Sequence, residues 1–176
     1  NLDLTSGGAV TQSGALVVPG TATVTASGQD VTFSNTSNNF GTIGVTGADV
    51  TIRDTNAVIM GTSTITGDLS VTASGAITDS GDISVDGGGK TATFAAGSSN
   101  NITLDRNGND FKTLAITSGN NVTIVDTDDI IFGTSNLEAD LNLTANGAVT
   151  QSGAIVVPGT TTVSASGQDV TFSNTS

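Results

Sequence analysis

The sequence predicts an all-β chain wound as a parallel β-helix (a β-solenoid), and three observations carry that expectation. The first is an internal repeat. Leu4 to Ser37, LTSGGAVTQSGALVVPGTATVTASGQDVTFSNTS, returns 139 residues later at Leu143 to Ser176 with five of 34 positions changed. Self-similarity at a long fixed period is the signature of repeat architectures. The second is local pattern: short runs of β-branched and apolar residues alternate with Gly, Asn, Asp and Ser turns, and no stretch shows a helical period. The third is a register that holds along the whole chain.

That register begins with an apolar residue followed by a small or hydroxylated one, at Leu4, Val24, Val45, Val71, Phe94, Ile116, Leu143 and Val163. A second column follows each: Val10, Val31, Val50, Ile77, Ile102, Val122, Val149 and Val170, every one β-branched and followed by Thr. Between the columns lie turns such as ASGQD, GAD and SGNN, whose Gly and Asn suit sharp corners. A looser apolar group closes each unit, for example Leu16 and Val18, Phe40, Val58 and Met60, Ile83 and Val85, Phe111, Ile130 and Phe132. Three short strands per unit describe a solenoid rung, giving about eight rungs of 20–27 residues. Rungs stacked at the ordinary strand spacing of roughly 4.8 Å would make a rod about 38 Å long. A buried aliphatic or Phe contributes about 1.5–3 kcal/mol, so stacked columns can offset the ordering of each rung where one rung alone could not.

The rungs group in threes. Residues 2–68 and 69–140 form two super-repeats of about 70 residues and residues 141–176 begin a third, with no linker or domain boundary between them. The residue two places beyond the second column marks the rung type. It is Gln12, Asp79 and Gln151 in the first, Phe33, Leu104 and Phe172 in the second, and Ile52 and Ile124 in the third. Pro19 and Pro158 fall at identical turns, where a missing N–H is tolerated. The chain opens at Asn1 without an initiator Met and shows no capping segment, which reads as a window on a longer fibre.

Composition narrows the function classes. The 23 Gly and 31 Thr accompany no Cys, His, Trp or Tyr, so a disulfide framework, a thiolate metal site and a histidine base are excluded. No apolar run is long enough for a transmembrane helix or a signal peptide. A net charge of −12, from 16 acids against Arg53, Lys90, Arg106 and Lys112, repels phosphate backbones, so nucleic acid is not an expected partner. Regular β-branched residues and only 11% charged residues argue for order over disorder.

The phrases AVTQSGALVV, SNNFGTIGVTGADVTIRDTNAVIMG, LSVTASGAITDSG and GNDFKTLAITSGNNVTI resemble the repeat region of filamentous-haemagglutinin-type bacterial exoproteins, over essentially the whole chain. The resemblance implies a right-handed parallel β-helix, an extracellular or bacterial cell-surface location and a fibrous role in adhesion, biofilm or cell–cell contact. Partners would be neighbouring repeats of the same long chain, and surface glycans or other fibres.

Each cluster with potential chemistry also has a scaffold role open to it. Asp126, Asp128 and Asp129 in VDTDDI are clustered as glycosidase carboxylates can be, but the equivalent RDTNAV, with Asp54 and Asn56, reads as turn chemistry. Asp and Asn oxygens could serve calcium, yet neither GGxGxDxUx nor an EF-hand loop is present. DGGGK at Asp86 to Lys90 lacks phosphate-loop spacing and reads as a flexible corner. The N-x-[ST] triplets at Asn35, Asn101, Asn121, Asn142 and Asn174 follow from composition. Thr5, Thr25, Thr46, Thr72, Thr117 and Thr144, with Ala95 and Ser164, form one expected outward ladder. Thr11, Thr32, Thr51, Thr78, Thr103, Thr123, Thr150 and Thr171 form another. Such a grid could meet ice or carbohydrate, but outward Thr also has high β propensity and pairs well with its ladder neighbours. The expectation is therefore a non-catalytic stalk or fibre segment of a repetitive surface adhesin, with no catalytic, cofactor or metal residues. The alternatives are a self-assembling filament or sheath subunit, a carbohydrate-active β-helix enzyme, and a carbohydrate- or ice-binding module.

Overall fold

The computed structural model describes residues 1–173, all in strands and turns. Every strand pairing is parallel, and successive strands in sequence fall in different stacks, so the chain winds as a parallel β-helix. One face is a nine-stranded sheet: Val10–Thr11, Val31–Phe33, Val50–Asp54, Leu69–Ala73, Thr91–Ala95, Thr113–Ser118, Ile130–Phe132, Val149–Gln151 and Val170–Thr171. At the ordinary strand spacing, its eight steps rise about 38 Å.

The rest of the surface begins as one broad face and then forks. Leu2–Thr5, Val17–Thr25 and Asn39–Gly47 stack in register, with Leu4 beside Val24 and Val24 beside Val45. Above Asn39–Gly47, residues 42–43 pair with Val58–Met60 and residues 46–47 pair with Ser63–Ile65. One arm continues through Ile77–Asp79, Ile102–Leu104, Val122–Asp126, Leu141–Ala145 and Thr161–Ser164. The other runs through Ile83–Val85 to Asp110–Phe111. The nine-stranded face forks in turn. Residues 113–114 of Thr113–Ser118 pair with Ile130–Phe132, while its Ile116 meets Ser135–Asn136, the start of a separate ladder with Ile155–Val156.

The forks explain the uneven intervals in the sequence. The expected columns run straight only within a super-repeat. Val50, expected beneath Ile77, lies beside Leu69, and Val71 lies beside Ile52 in the nine-stranded face rather than beside Val45. Ile77, Ile102 and Val122 line up on the other face, next to Leu141. Each super-repeat thus holds its three rungs and adds a part-turn at the fork. Val10 and Val149 stand in the same sheet, seven strand steps apart. Two super-repeats therefore make seven turns of about twenty residues. A single super-repeat makes about three and a half, so its columns reappear on another face.

The interior is a hydrocarbon column interrupted by a few buried polar side chains. Ile52, Val71, Phe94 and Ile116 lie in register and are buried, and Ile124 stacks between Leu104 and Leu143. Phe33 and Phe40 meet at 5.8 Å, and Phe94 and Phe111 pack edge-on at 6.0 Å, separations at which aromatic pairs attract beyond their buried area. Few turn glycines are there for positive φ. Gly28 (φ 70°) and its counterpart Gly167 (82°) are, whereas Gly75 is required by close approach. A Cβ there would lie 2.5 Å from the Ala57 nitrogen of the neighbouring rung.

Truncating Ile124 to Ala should cost about 2–5 kcal/mol, and Thr123→Ala, one residue along and facing outward, no more than about 0.5 kcal/mol. Denaturant unfolding of the two variants checks this; equal losses would contradict the assigned facing.

Candidate functional site: the carboxylates of the super-repeat junction

At each fork part of a strand stack stops, and its last backbone groups need partners. The stack holding Asn39 and Phe40 ends beneath Asp54, a buried residue at the close of Val50–Asp54. The Asp54 carboxylate accepts the Phe40 N–H (2.6 Å) and, through its other oxygen, the Asn56 N–H (2.8 Å). Thr55 N–H donates to the Asn38 carbonyl at 2.8 Å. The second fork repeats this. Asp126 accepts from Phe111 (2.8 Å) and Asp128 (3.1 Å), and Thr127 N–H donates to Asn109.

Where a strand divides, a buried serine fills the gap. Ser63 Oγ accepts the Val45 N–H (3.1 Å) and donates to the Gly61 carbonyl (2.9 Å); Ser135 does the same for Ile116 and Gly133 at 3.0 Å each. Buried Asn38 and Asn109 complete the set. Asn38 accepts the Leu16 N–H and exchanges two bonds with Gln12; Asn109 accepts the Ile83 N–H and donates to Asp79 at 2.6 Å.

The acidic triplet of VDTDDI therefore separates into three roles. Asp126 points inward as the stack terminator. Asp129 accepts the Ala148 N–H of the next rung at 2.6 Å. Asp128 faces outward and joins Asp86 and Asp110, the three offering carboxylate oxygens within 4.8 Å of one another. In the sequence Asp86 reads as part of a flexible corner, and Asp110 carries no motif of its own. Their super-repeat counterparts, Pro19, Asn39 and Asn56, are neutral, and comparing these offsets would have exposed the trio. Three carboxylates could hold a hard cation with water completing the six to eight oxygens that calcium takes.

Burial sets the protonation. Desolvation pushes the Asp126 carboxyl up to about 6, against the lowering effect of its two N–H donors, and the neighbouring Asp128 and Asp110 charges push it further. Asp110 is also raised, by desolvation first and then by Asp86 and Asp128, with Lys112 opposing. One Asp110 oxygen is shut off from solvent with no hydrogen-bond partner. Asp79 is raised by desolvation, partly countered by Asn109 and by the Arg106 and Asp105 N–H groups.

The other candidates fall in structural places. DGGGK is a tight corner with Gly89 at φ 74° and Lys90 N–H bonded to Gly87. Asn101 and Asn121 form a corner ladder in which each side-chain oxygen accepts an N–H one rung on, at Asn121 and Asp140. Asp30, Asp49 and Asp68 do the same at Asp49, Asp68 and Thr91. This ladder was not foreseen, although an Asx before successive strands is its signal. Asn35 folds onto the Ser37 N–H, Asn142 lies outward beside Thr123, and Asn174 lies outside the described residues. The Thr ladders are real but shorter than expected. Thr5, Thr25, Thr46 and Thr64 line up, as do Thr11, Thr32, Thr51, Ser70 and Thr93, while Thr72 sits beside Arg53. Depressions lined by Leu141, Ile155 and Phe172, and by Leu2, Leu4 and Leu16, contain no carboxylate.

A protein-family model described as Repeats of unknown function (DUF5649) matches residues 1–46, 47–118 and 119–176. The chain belongs to that family. The middle match, 47–118, is as long as the super-repeats seen here and is offset from them by roughly one turn, while the first and last matches are shorter. No curated protein and no solved structure matches the chain.

In this DUF5649 chain the folded state holds the Asp126 proton more tightly than the unfolded state does. Stability therefore increases as pH falls through about 6 and levels off near the ordinary carboxyl value of 3.8. The gain is on the order of 3 kcal/mol, with Asp110 and Asp79 adding in the same direction. Thermal unfolding between pH 7.5 and 4.5 should show a rising midpoint on acidification, and Asp126→Asn should flatten the rise. An unchanged slope in that variant would assign the effect elsewhere.

Proposed function

We propose that this chain is a stalk segment of a repetitive, extracellular bacterial surface fibre, of the filamentous-haemagglutinin type that its repeat phrases resemble, and that it carries out no catalysis. The observation that carries this reading is the fork. A broad strand divides to found two stacks of the next super-repeat, while the neighbouring face becomes its broad one. The same seam recurs at Asn39–Gly47 and at Thr113–Ser118. A junction that regenerates its own starting arrangement lets super-repeats be concatenated without limit, which is what a fibre requires. Membership of a repeat family supports it, as do the corner ladders and continuous core that make each rung the template for the next. Among the described residues no helix is long and apolar enough to cross a membrane. The stalk would hold a terminal adhesive part away from the cell, with neighbouring repeats as its main partners and surface glycans or other fibres as its external ones.

Electron microscopy of the native parent protein tests the reading. Unbranched rods whose length grows by about 17 Å per super-repeat, three and a half strand spacings, are expected. Short compact particles would refute it, and rods zipped side by side would favour a sheath.

A further inference from the structure

The forks that allow unlimited extension also interrupt the stack. Asn39–Gly47 is in register with Val17–Thr25 below it at seven positions, but with the two strands above it at two positions each. Thr113–Ser118 is in register with Thr91–Ala95 at five positions and with Ile130–Phe132 at two. An isolated bridge from Gly119 to Leu137 adds to the second fork. Polar groups replace hydrocarbon at both seams: Ser63 and Asp54 at the first, Ser135 and Asp126 at the second, all buried. A single Ser hydroxyl or Asp carboxylate there does the work that a strand edge does elsewhere. One face crosses each seam at five positions, from Val50–Asp54 to Leu69–Ala73 and from Val122–Asp126 to Leu141–Ala145. Short strands within residues 55–126 also pair at only two positions, so what sets the seams apart is the divided strand and the buried polar groups that close it.

In a stack of repeats, stability is the sum of nearest-neighbour interfaces, and opening starts at the weakest one. We propose that each super-repeat junction is a built-in break point, so that the rod opens in super-repeat blocks rather than rung by rung or all at once. The blocks here are residues 1–54, 55–126 and 127–173, bounded by the exposed turns that follow Asp54 and Asp126. A long fibre built this way confines damage or stretching to one block while its neighbours stay folded. The inference depends on the seams and stands whether or not the parent fibre is an adhesin.

Native-state hydrogen exchange on the full chain, in rising sub-denaturing guanidinium, tests it. The amides of Phe40, Val45, Phe111 and Ile116 should exchange at least about tenfold faster than those of Val24, Val71 and Phe94. Amides inside residues 55–126 should merge onto one common opening distinct from those of residues 1–54. Ser135→Ala, which leaves the Ile116 N–H without its acceptor, should speed exchange around the second fork about tenfold and leave residues 1–54 unchanged. A single global opening for all amides, or a smooth gradient from the ends that ignores the forks, overturns the proposal. If Ser135→Ala does not fold, the wild-type exchange pattern decides alone, together with limited proteolysis, whose first cuts should fall at residues 55–57 and 127–129.

Discussion

A solenoid stays ordered only while every rung finds a partner for each backbone N–H and C=O in the rung above and the rung below. Buried backbone groups without partners cost as much as a lost hydrogen bond, and this chain changes its cross-section twice. The molecule meets that demand with buried side chains, Asn38 and Asn109 among them. Asp54 and Asp126 receive the N–H groups of Phe40 and Phe111 where a stack stops, and Ser63 and Ser135 receive those of Val45 and Ile116 where a strand divides. The hydrocarbon columns, the corner ladders and the rotation of the faces all follow from a seam that is closed in this way.

The columns were legible in the sequence because within a super-repeat they obey a plain rule. Inward positions are apolar and most are β-branched, their neighbours are often Thr, and the next rung repeats them after about twenty residues. Val10, Val31 and Val50 are an instance, and so are Ile77, Ile102 and Val122. The changeover between such triplets was not legible, because its only mark is an interval longer by a few residues. An alignment of strings treats that as an insertion in a loop, whereas the chain uses it to add part of a turn and move to another face.

The junction side chains hid for a related reason. Asp54 followed by Thr and Asn reads as a turn, and one of its oxygens does make the local bond to Asn56. The other reaches Phe40, fourteen residues back, and no local rule reveals that contact. In VDTDDI, adjacency in sequence suggested a shared site, but the chain turns within those few residues and sends Asp126 inward and Asp128 outward. Asp86, Asp110 and Asp128 become neighbours because each borders the same ending stack, one rung apart from the next.

The half-integral winding gives the rod two chemically different sides. Because two super-repeats return the chain to its starting face, Gln12 and Gln151 occupy matching places, and the near-identity of residues 4–34 and 143–173 restores one surface at an interval of seven turns. The super-repeat between them shows its own version on another side, with Asp79 for Gln12, Asp86 for Pro19 and Asp110 for Asn39. Carboxylates therefore gather at the second junction while the first stays neutral at those places. Charge concentrated in this way makes that stretch of the surface more strongly negative than its counterpart at the first junction. At that junction the Asp110 and Asp128 charges add to burial in raising the Asp126 carboxyl, so three acidic neighbours and one buried terminator act as a single electrostatic group.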